Sequence, residues 1–192
     1  MNETEIKLPV RDATALLARI AELGYLPVQA RALERNVLFD FPDQRLRQAR
    51  SMVRLRFSAG QALLTYKGAP AESRDYKIRP EIETRVEAGS NLREVLLHLG
   101  LQEIFRYEKF RTVYAPPAGA PEATGGHLML DETPIGNYLE IEGPEAWIDQ
   151  VAGRLGYSRT DYITASYAAL YVDHCAAEGQ PVGDMVFPSR ES

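Results

Sequence analysis

The sequence predicts an α+β protein built on an eight-stranded antiparallel β-tunnel, a closed barrel with a charged lumen and helices packed outside. Two observations predict this fold. The chain holds about eight strand-like segments that are joined mostly by short connections, which favour an antiparallel sheet that is curled or closed. On strand after strand, charged residues recur at every second position, so that one face of the strand is charged and the other is apolar.

The first half of the chain alternates strand and helix signals. The pattern predicts a strand over 2–8, a helix over 11–23, a strand over 28–41, a short helical turn over 44–49, and a hairpin of strands over 51–59 and 61–69. The first helix has apolar residues at helical spacing, with Asp12 as its N-cap and Gly24 as its stop. A long strand over 75–88 follows, in which Pro80 requires an edge position, a bulge or a gap in the ladder.

The second half supplies the remaining strands and helices. The pattern predicts a helix over 91–99 capped by Ser90, a strand over 101–115, strands over 127–132 and 137–143, and helices over 145–155 and 162–174. Residues 116–126 are rich in proline and glycine and predict a flexible loop. We expect residues 1–175 to form one domain and residues 176–192 to form a loosely ordered C-terminal tail.

Composition restricts the class of protein. A chain of 192 residues with 26% charged and 45% hydrophobic residues is typical of one globular domain. Its net charge of −5 does not favour a nucleic-acid partner, and no segment approaches the roughly 20 apolar residues of a membrane span. The lone Cys175 cannot form an internal disulfide, and the N-terminus has no signal-like segment, so we expect a cytoplasmic protein. Its oligomeric state is open, with a homodimer as one option.

The charged strand faces predict the chemistry of the lumen. Once helices cover the apolar faces, the charged faces look at each other across the interior, where so many charges require water and a charged ligand. The basic residues on these faces are Lys7, Arg54, Arg56, Lys67, Arg79, Lys109 and Arg111. The acidic residues are Glu3, Glu5, Glu81, Glu83, Asp131, Glu140 and Glu142.

Separate basic and acidic pairs suit a polyphosphate that carries Mg²⁺ or Mn²⁺. Guanidinium groups grip phosphate oxygens in two-point contacts, and carboxylates hold a divalent cation that neutralises and aligns the phosphates. Any single pair of like charges two residues apart is more simply the solvated face of a half-exposed strand. The recurrence of such pairs on most strands is what favours the lumen interpretation.

Short motifs recur in a fixed order along the chain. They are ExExK at 3–7, RLR at 54–56, LTYKG at 64–68, EIE at 81–83, EKFR at 108–111, LDETPIGNYLEIEG at 130–143 and SY at 166–167. Each motif is weak by itself, but the ordered set makes the chain resemble the CYTH superfamily, the triphosphate tunnel metalloenzymes, over roughly residues 1–172. That family includes class IV adenylate cyclases, thiamine triphosphatases and inorganic triphosphatases.

The resemblance implies a role for each charged position. It implies that Lys7, Arg54, Arg56, Lys67, Lys109 and Arg111 bind a triphosphate, with Arg79 as a further contact. It implies that Glu3, Glu5, Glu81, Glu83, Asp131, Glu140 and Glu142 supply oxygens on the metal side, directly or through water. Within these sets we expect Glu5, Lys67 and Glu83 to be catalytic.

The resemblance leaves the reaction open. The run Asn36-Val37-Leu38-Phe39-Asp40 lacks the tyrosine pair of the DxYYD-type run, which weakens a thiamine triphosphatase hypothesis. The segments YKIRPEIETRV and GLQEIFRYEKFR look like the class IV adenylate cyclase subgroup. Hydrolysis of inorganic or nucleoside triphosphate is the first hypothesis, and synthesis of cyclic AMP and pyrophosphate from ATP is the second. A non-catalytic tunnel that binds polyphosphate or a nucleotide is the third, although binding alone does not require so many metal-side carboxylates.

Overall fold

The structure, a computed structural model, describes residues 2–116 and 126–188. Within these residues, the strands close into one antiparallel barrel in the order β1-β5-β4-β3-β2-β6-β7-β8, so the predicted eight-stranded tunnel is confirmed. The strands are β1 (Asn2–Val10), β2 (Leu26–Asp40), β3 (Met52–Ser58), β4 (Gln61–Lys67), β5 (Lys77–Val86), β6 (Gln102–Ala115), β7 (His127–Thr133) and β8 (Gly136–Glu142). Most of the predicted loop over 116–126 lies outside the described residues.

The helices pack on the outside of the barrel, as predicted. They are α1 (Ala13–Glu22), α2 (Arg45–Gln48), α3 (Gly89–His98), α4 (Glu145–Arg154) and α5 (Tyr167–Ala177). Asp12 caps α1 as expected, because its carboxylate accepts the Ala15 N–H at 3.0 Å. None of the helices described here is long and apolar enough to cross a membrane.

Two helix starts differ from the prediction. The last helix begins at Tyr167 rather than 162, because the Ser166 side chain caps it by accepting the Ala169 N–H. The residues before it are extended, and Ile163 exchanges two backbone hydrogen bonds of 2.9 Å with Lys7 on β1. In α3, Ser90 lies inside the first turn instead of capping the helix, which starts at Gly89.

Three apolar clusters join the barrel to its helices and its tail. The largest lies between β1, β7 and β8 on one side and α1 and α4 on the other, and includes Ile6, Leu8, Leu128, Leu139, Ile141, Leu16, Ile20, Ile148 and Val151. A second cluster joins α3 to β2, β3 and β4 around Leu55 and Leu96. The third groups aromatic residues of β6 and α5 with Met185 of the tail. The first two clusters hold the apolar strand faces outward, so the charged faces are turned into the lumen. The third lies on the inner side of the barrel, where Leu38, Tyr107 and Tyr167 face the interior.

The outer face of β4 and β5 is an exception to the expected helix cover. The cross-strand pair Tyr66 and Ile82 is 40% and 67% exposed. The expectation that helices cover every apolar strand face is therefore wrong here. The ladder gap required by Pro80 lies nearby, opposite Gly68, one residue beyond the end of β4. The Gly68 N–H donates to the Pro80 carbonyl at 2.9 Å, and the Arg79 guanidinium replaces the missing Pro80 donor by donating to the Gly68 carbonyl at 2.7 Å.

The C-terminal tail is better ordered than the sequence suggests. Strand β7 pairs only with residues 110–114 of β6, which leaves an open edge on the earlier part of β6. Met185 fills this edge by accepting the Glu108 N–H at 2.8 Å and donating to the Arg106 carbonyl at 3.0 Å. Phe187 also packs against Phe110 with ring centroids 5.2 Å apart. The expected loose order is therefore wrong for this part of the tail, since it protects the barrel edge.

Gly89 offers a test of the contact between α3 and the barrel. A Cβ at this position would lie 2.5 Å from Ala62 Cβ and 2.6 Å from Phe57 Cε1, so Gly89→Ala should lower the free energy of unfolding by about 1–3 kcal/mol. The matched control is Gly153→Ala in α4, where a Cβ meets no atom within 4 Å and should add about 0.5 kcal/mol of helix stability. Urea denaturation measures both, and equal stability of the two variants would contradict the close packing of α3.

Candidate active site

The barrel encloses a cavity of about 510 Å³. Basic and acidic side chains line it in nearly equal numbers. The basic ones are Lys7, Arg54, Arg56, Lys67, Lys77, Arg79, Lys109 and Arg111, and the acidic ones are Glu3, Glu5, Glu34, Glu81, Glu83, Glu140 and Glu142. All the predicted site residues except Asp131 are among them, so the two-residue period brought them together in one place.

Strand β1 illustrates how the sequence places these groups. Glu3, Glu5 and Lys7 point into the cavity, whereas Ile6 and Leu8 are fully buried in the apolar cluster outside the barrel. Because side chains on a strand alternate between its two faces, burial of one set dictates the inward direction of the other.

Asp131 holds two cations of the lining, Lys109 and Arg111, in position, although it does not line the cavity itself. Its carboxylate is fully buried and accepts hydrogen bonds from Lys109 Nζ at 2.8 Å, from Arg111 Nε at 2.6 Å and from the Tyr167 hydroxyl at 2.6 Å. Arg111 also donates to Glu140. The arrangement fits a group that positions two phosphate-binding side chains, and a direct contact between Asp131 and a metal stays a prediction.

A second group of cations lies on β3. Arg56 donates through Nε to Asn36 Oδ1 at 3.3 Å and through Nη1 to Glu34 Oε1 at 3.5 Å. Arg54 donates through Nη2 to Thr65 Oγ1 at 3.2 Å. Sequence reasoning missed Glu34 and Asn36, although their two-residue spacing on β2 was a signal that they share one face.

Lys67 and Arg79 differ in how free they are to bind a ligand. The Lys67 ammonium lies 2.8 Å from Glu81 Oε2 and also pairs with Glu3. Burial opposes its charge, but Glu5 and the other nearby carboxylates raise the pKa of Lys67, so it stays a cation. The Arg79 guanidinium instead donates to backbone carbonyls, including that of Gly68 at 2.7 Å. This contact ties down the chain after β4, and a phosphate contact by Arg79 stays a prediction.

The family follows from a comparison with known proteins. The family model of the CYTH domain matches residues 1–167. The chain belongs to the CYTH family. It is 26% identical over 174 residues to the "Putative adenylate cyclase MJ0240" of Methanocaldococcus jannaschii, which covers 88% of this chain and 98% of that protein.

Solved structures of CYTH-like proteins share the fold of this chain. The X-ray structure of a "putative adenylate cyclase" from Vibrio parahaemolyticus superimposes with a TM-score of 0.74 at 20% identity, over 88% of this chain and 96% of that one. A second is HpAC1 from Hippeastrum, described as a "putative adenylyl cyclase" with a dominant triphosphatase activity. It superimposes with a TM-score of 0.63 at 20% identity, over 94% of this chain and 97% of that one. At these identities the likeness shows the fold alone.

The CYTH family implies a divalent metal, and the acidic side of this cavity has suitable donors. Burial, a hydrogen bond with Glu81 and repulsion from Glu5 raise the pKa of Glu3 to about 8. Burial and repulsion from Glu5 also raise the pKa of Glu142. A divalent ion would relieve the repulsion among these carboxylates, and oxygen-only donor sets of this kind fit hard cations such as Mg²⁺ and Mn²⁺.

Some of these carboxylates already form ion pairs with lysines of the lining. Although burial opposes ionisation, the Lys7 and Lys77 ammonium groups lower the pKa of Glu5. Lys77 Nζ lies 2.7 Å from Glu5 Oε1, and sequence reasoning missed this lysine even though it shares the face of Arg79 on β5. Across residues 2–116 and 126–188, no three carboxylate, histidine or cysteine side chains are gathered into a ready metal site. Metal binding therefore requires some of these pairs to open.

Replacement of Asp131 tests the positioning role of its carboxylate. Asp131→Asn leaves the buried cations Lys109 and Arg111 short of negative charge, so the free energy of unfolding should fall by about 3–5 kcal/mol. The control is the next residue on β7: Glu132 pairs with Arg31 on the half-exposed outer face, and Glu132→Gln should cost less than about 1 kcal/mol. Thermal and urea denaturation check both values, and similar losses in the two variants would contradict the assigned role.

Proposed function

We propose that this CYTH protein is a divalent-metal-dependent enzyme that hydrolyses inorganic or nucleoside triphosphate inside its tunnel. The observation that carries the proposal is one cavity lined by eight basic and seven acidic side chains, which suits a triphosphate together with a divalent cation. The dominant triphosphatase activity described for HpAC1 supports hydrolysis as the first choice. We also propose that residues 1–175 form the catalytic domain, with residues 176–192 as a tail.

The cations would bind the substrate through its phosphate groups. Arg54, Arg56, Lys7, Lys109 and Arg111 line the cavity, and their guanidinium and ammonium groups suit phosphate oxygens. Their present acidic partners hold them in place before the substrate arrives. Because the lining is nearly balanced in charge, a triphosphate should enter with divalent cations rather than alone.

Glu3, Glu5, Glu81 and Glu142 are the residues that would hold Mg²⁺ or Mn²⁺. A metal ion bound there would supply charge stabilisation to the phosphoryl group during transfer. Contact of Glu83, Glu140 and Asp131 with the metal, directly or through water, is part of the same proposal. Before the metal binds, Glu140 pairs with Lys7 and Arg111, and Asp131 pairs with Lys109.

Glu83 and Lys67 are the proposed catalytic groups beside the metal ligand Glu5. The Glu83 side chain is 38% exposed and accepts the Thr65 hydroxyl at 3.0 Å, so its carboxylate meets water while its direction is fixed. It would orient the attacking water and accept its proton. Lys67 keeps its proton and would stabilise negative charge on the phosphate that leaves.

Cyclic AMP synthesis is the second candidate, because the similar proteins of Methanocaldococcus jannaschii and Vibrio parahaemolyticus carry adenylate cyclase names. In that reaction the ribose 3′-oxygen of ATP would attack the α-phosphorus and release pyrophosphate. Both reactions need the same phosphate clamp, since their chemistry is mainly positioning and charge stabilisation.

Product analysis separates these candidates. The protein is incubated with ATP and with tripolyphosphate, each with Mg²⁺ and with Mn²⁺, and the products are separated and identified. We expect orthophosphate from tripolyphosphate and no cyclic AMP from ATP. Cyclic AMP with pyrophosphate would make the protein a cyclase, and tight binding without any product would favour a non-catalytic binding tunnel.

Replacement of Glu5 tests the metal side. Glu5→Gln removes one charged metal ligand while keeping the shape of the side chain, so we expect turnover to fall at least about 100-fold, equivalent to about 2.7 kcal/mol in the barrier. Higher Mn²⁺ concentrations should restore part of the rate. Glu132→Gln, on the outer face of β7, should leave turnover unchanged, and unchanged turnover in Glu5→Gln would remove Glu5 from the metal site.

Replacement of Arg56 tests the phosphate clamp. Arg56→Ala removes a charge-assisted contact to phosphate, so kcat/KM should fall by about 10- to 100-fold. The control is Arg35→Ala on the exposed face of β2, where the guanidinium pairs with Glu108 at 3.2 Å outside the cavity. Steady-state kinetics with tripolyphosphate measures both variants, and equal kinetics would exclude Arg56 from the clamp.

A further inference from the structure

Lys77 is a buried cation of the tunnel for which the proposed reaction has no role. It is the first residue of β5 and lies directly opposite Glu5 in the pairing of β1 with β5. Its ammonium is 2.7 Å from Glu5 Oε1, and the two side chains are only 14% and 7% exposed. Among the described residues, Glu5 is the acidic group within ion-pair distance of Lys77. The lysine is therefore committed to one carboxylate.

That carboxylate stands at the centre of the acidic set. On β1 it is two residues from Glu3, and on its other side it pairs in register with Glu142 of β8. Glu3, Glu5 and Glu142 thus occupy neighbouring positions of the sheet, and like charges at such positions are unfavourable unless a cation compensates them. In the absence of a metal, the Lys77 ammonium is the cation that enters this group from β5.

A divalent ion and Lys77 cannot use Glu5 in the same way at once. Mg²⁺, Mn²⁺ and similar hard cations approach a carboxylate oxygen to about 2.0–2.6 Å. An ammonium that stays 2.7 Å from the same Oε1 atom would lie beside the ion, with like charges close together in a buried place. The lysine side chain has a flexible four-carbon stem and lines the cavity, so its ammonium can withdraw into the cavity by rotation of the side chain alone.

We propose that Lys77 is a built-in competitor for the divalent cation, which occupies the Glu5 carboxylate of the metal-free tunnel and must leave it before the metal binds. This inference rests on the proposed function, because it takes Glu5 as a metal ligand. It has two consequences. The metal-free barrel is stabilised against repulsion among its carboxylates, and a divalent ion by itself binds more weakly than the donor set would allow.

Metal binding without substrate tests this inference directly. Mn²⁺ affinity of the full chain is measured by calorimetry, and free Mn²⁺ is followed by electron paramagnetic resonance, with no triphosphate present. Lys77→Met and Lys77→Gln should bind Mn²⁺ at least about ten-fold more tightly than the unmodified protein, equivalent to about 1.4 kcal/mol. Lys77→Arg keeps the charge and should bind Mn²⁺ about as weakly as the unmodified protein.

Two controls test whether an altered Mn²⁺ affinity reflects the loss of Lys77 itself. One control is for net charge and the other is for folding. Arg31→Met removes one positive charge from the exposed pair with Glu132, so it should leave Mn²⁺ affinity unchanged. Melting curves show whether each variant folds, and the glutamine variant serves if the methionine variant does not. Unchanged or weaker Mn²⁺ binding in both neutral variants, together with weaker binding in Glu5→Gln, would overturn the role of Lys77 and leave the proposed function standing. Unchanged binding in Glu5→Gln as well would overturn both.

Discussion

Charge compensation inside the closed barrel is the constraint on which the rest of the structure depends. Every ion in such an interior loses hydration, so it is stable only next to an opposite charge or in contact with water. The lumen meets this requirement with a series of ion pairs, which include the Lys67–Glu3 pair and the Lys109–Asp131 pair. The apolar clusters outside the barrel make this arrangement possible, because they supply the burial that a charged interior cannot.

This balance also limits how the site can work. A triphosphate or a metal ion cannot simply be added to the lumen, since most of its acidic and basic groups already form ion pairs with each other. Under the proposed function, binding would exchange one set of pairs for another, with phosphate oxygens pairing with the cations and divalent ions with the carboxylates left behind. Glu5 and Arg111 are each shared between two partners, so each would keep one partner if the other were displaced.

The sequence predicted the barrel and most of its lining because both depend on local periodicity. A strand such as residues 2–8 shows its inward face in the alternation of Glu3, Glu5 and Lys7 with Ile6 and Leu8, and the ordered motifs extend that pattern along the chain. Glu34 was missed because it is a single charge on its strand face, and Lys77 was missed because it lies at the start of β5, before the EIE motif, although it shares the face of Arg79. Their importance arises from partners 22 and 72 residues away, at Arg56 and Glu5, which only the closed barrel brings within reach.

The tail and the start of α5 could not be predicted from local sequence either, for the same reason. Neither segment has a strong pattern in its own sequence, because each is ordered by pairing with a distant strand, β6 for the tail and β1 for the residues before α5. Met185 pairs with β6 only because β7 is shorter than β6, and α5 starts at Tyr167 because the preceding residues are needed to pair with β1. Tyr167 then reaches Asp131 and covers the cations behind it, with Lys109 4.9 Å from its ring centroid. The C-terminal segment is thus joined to the cavity through the charges that it helps to bury, so a change at this end of the chain should alter the surroundings of Lys109 and Asp131.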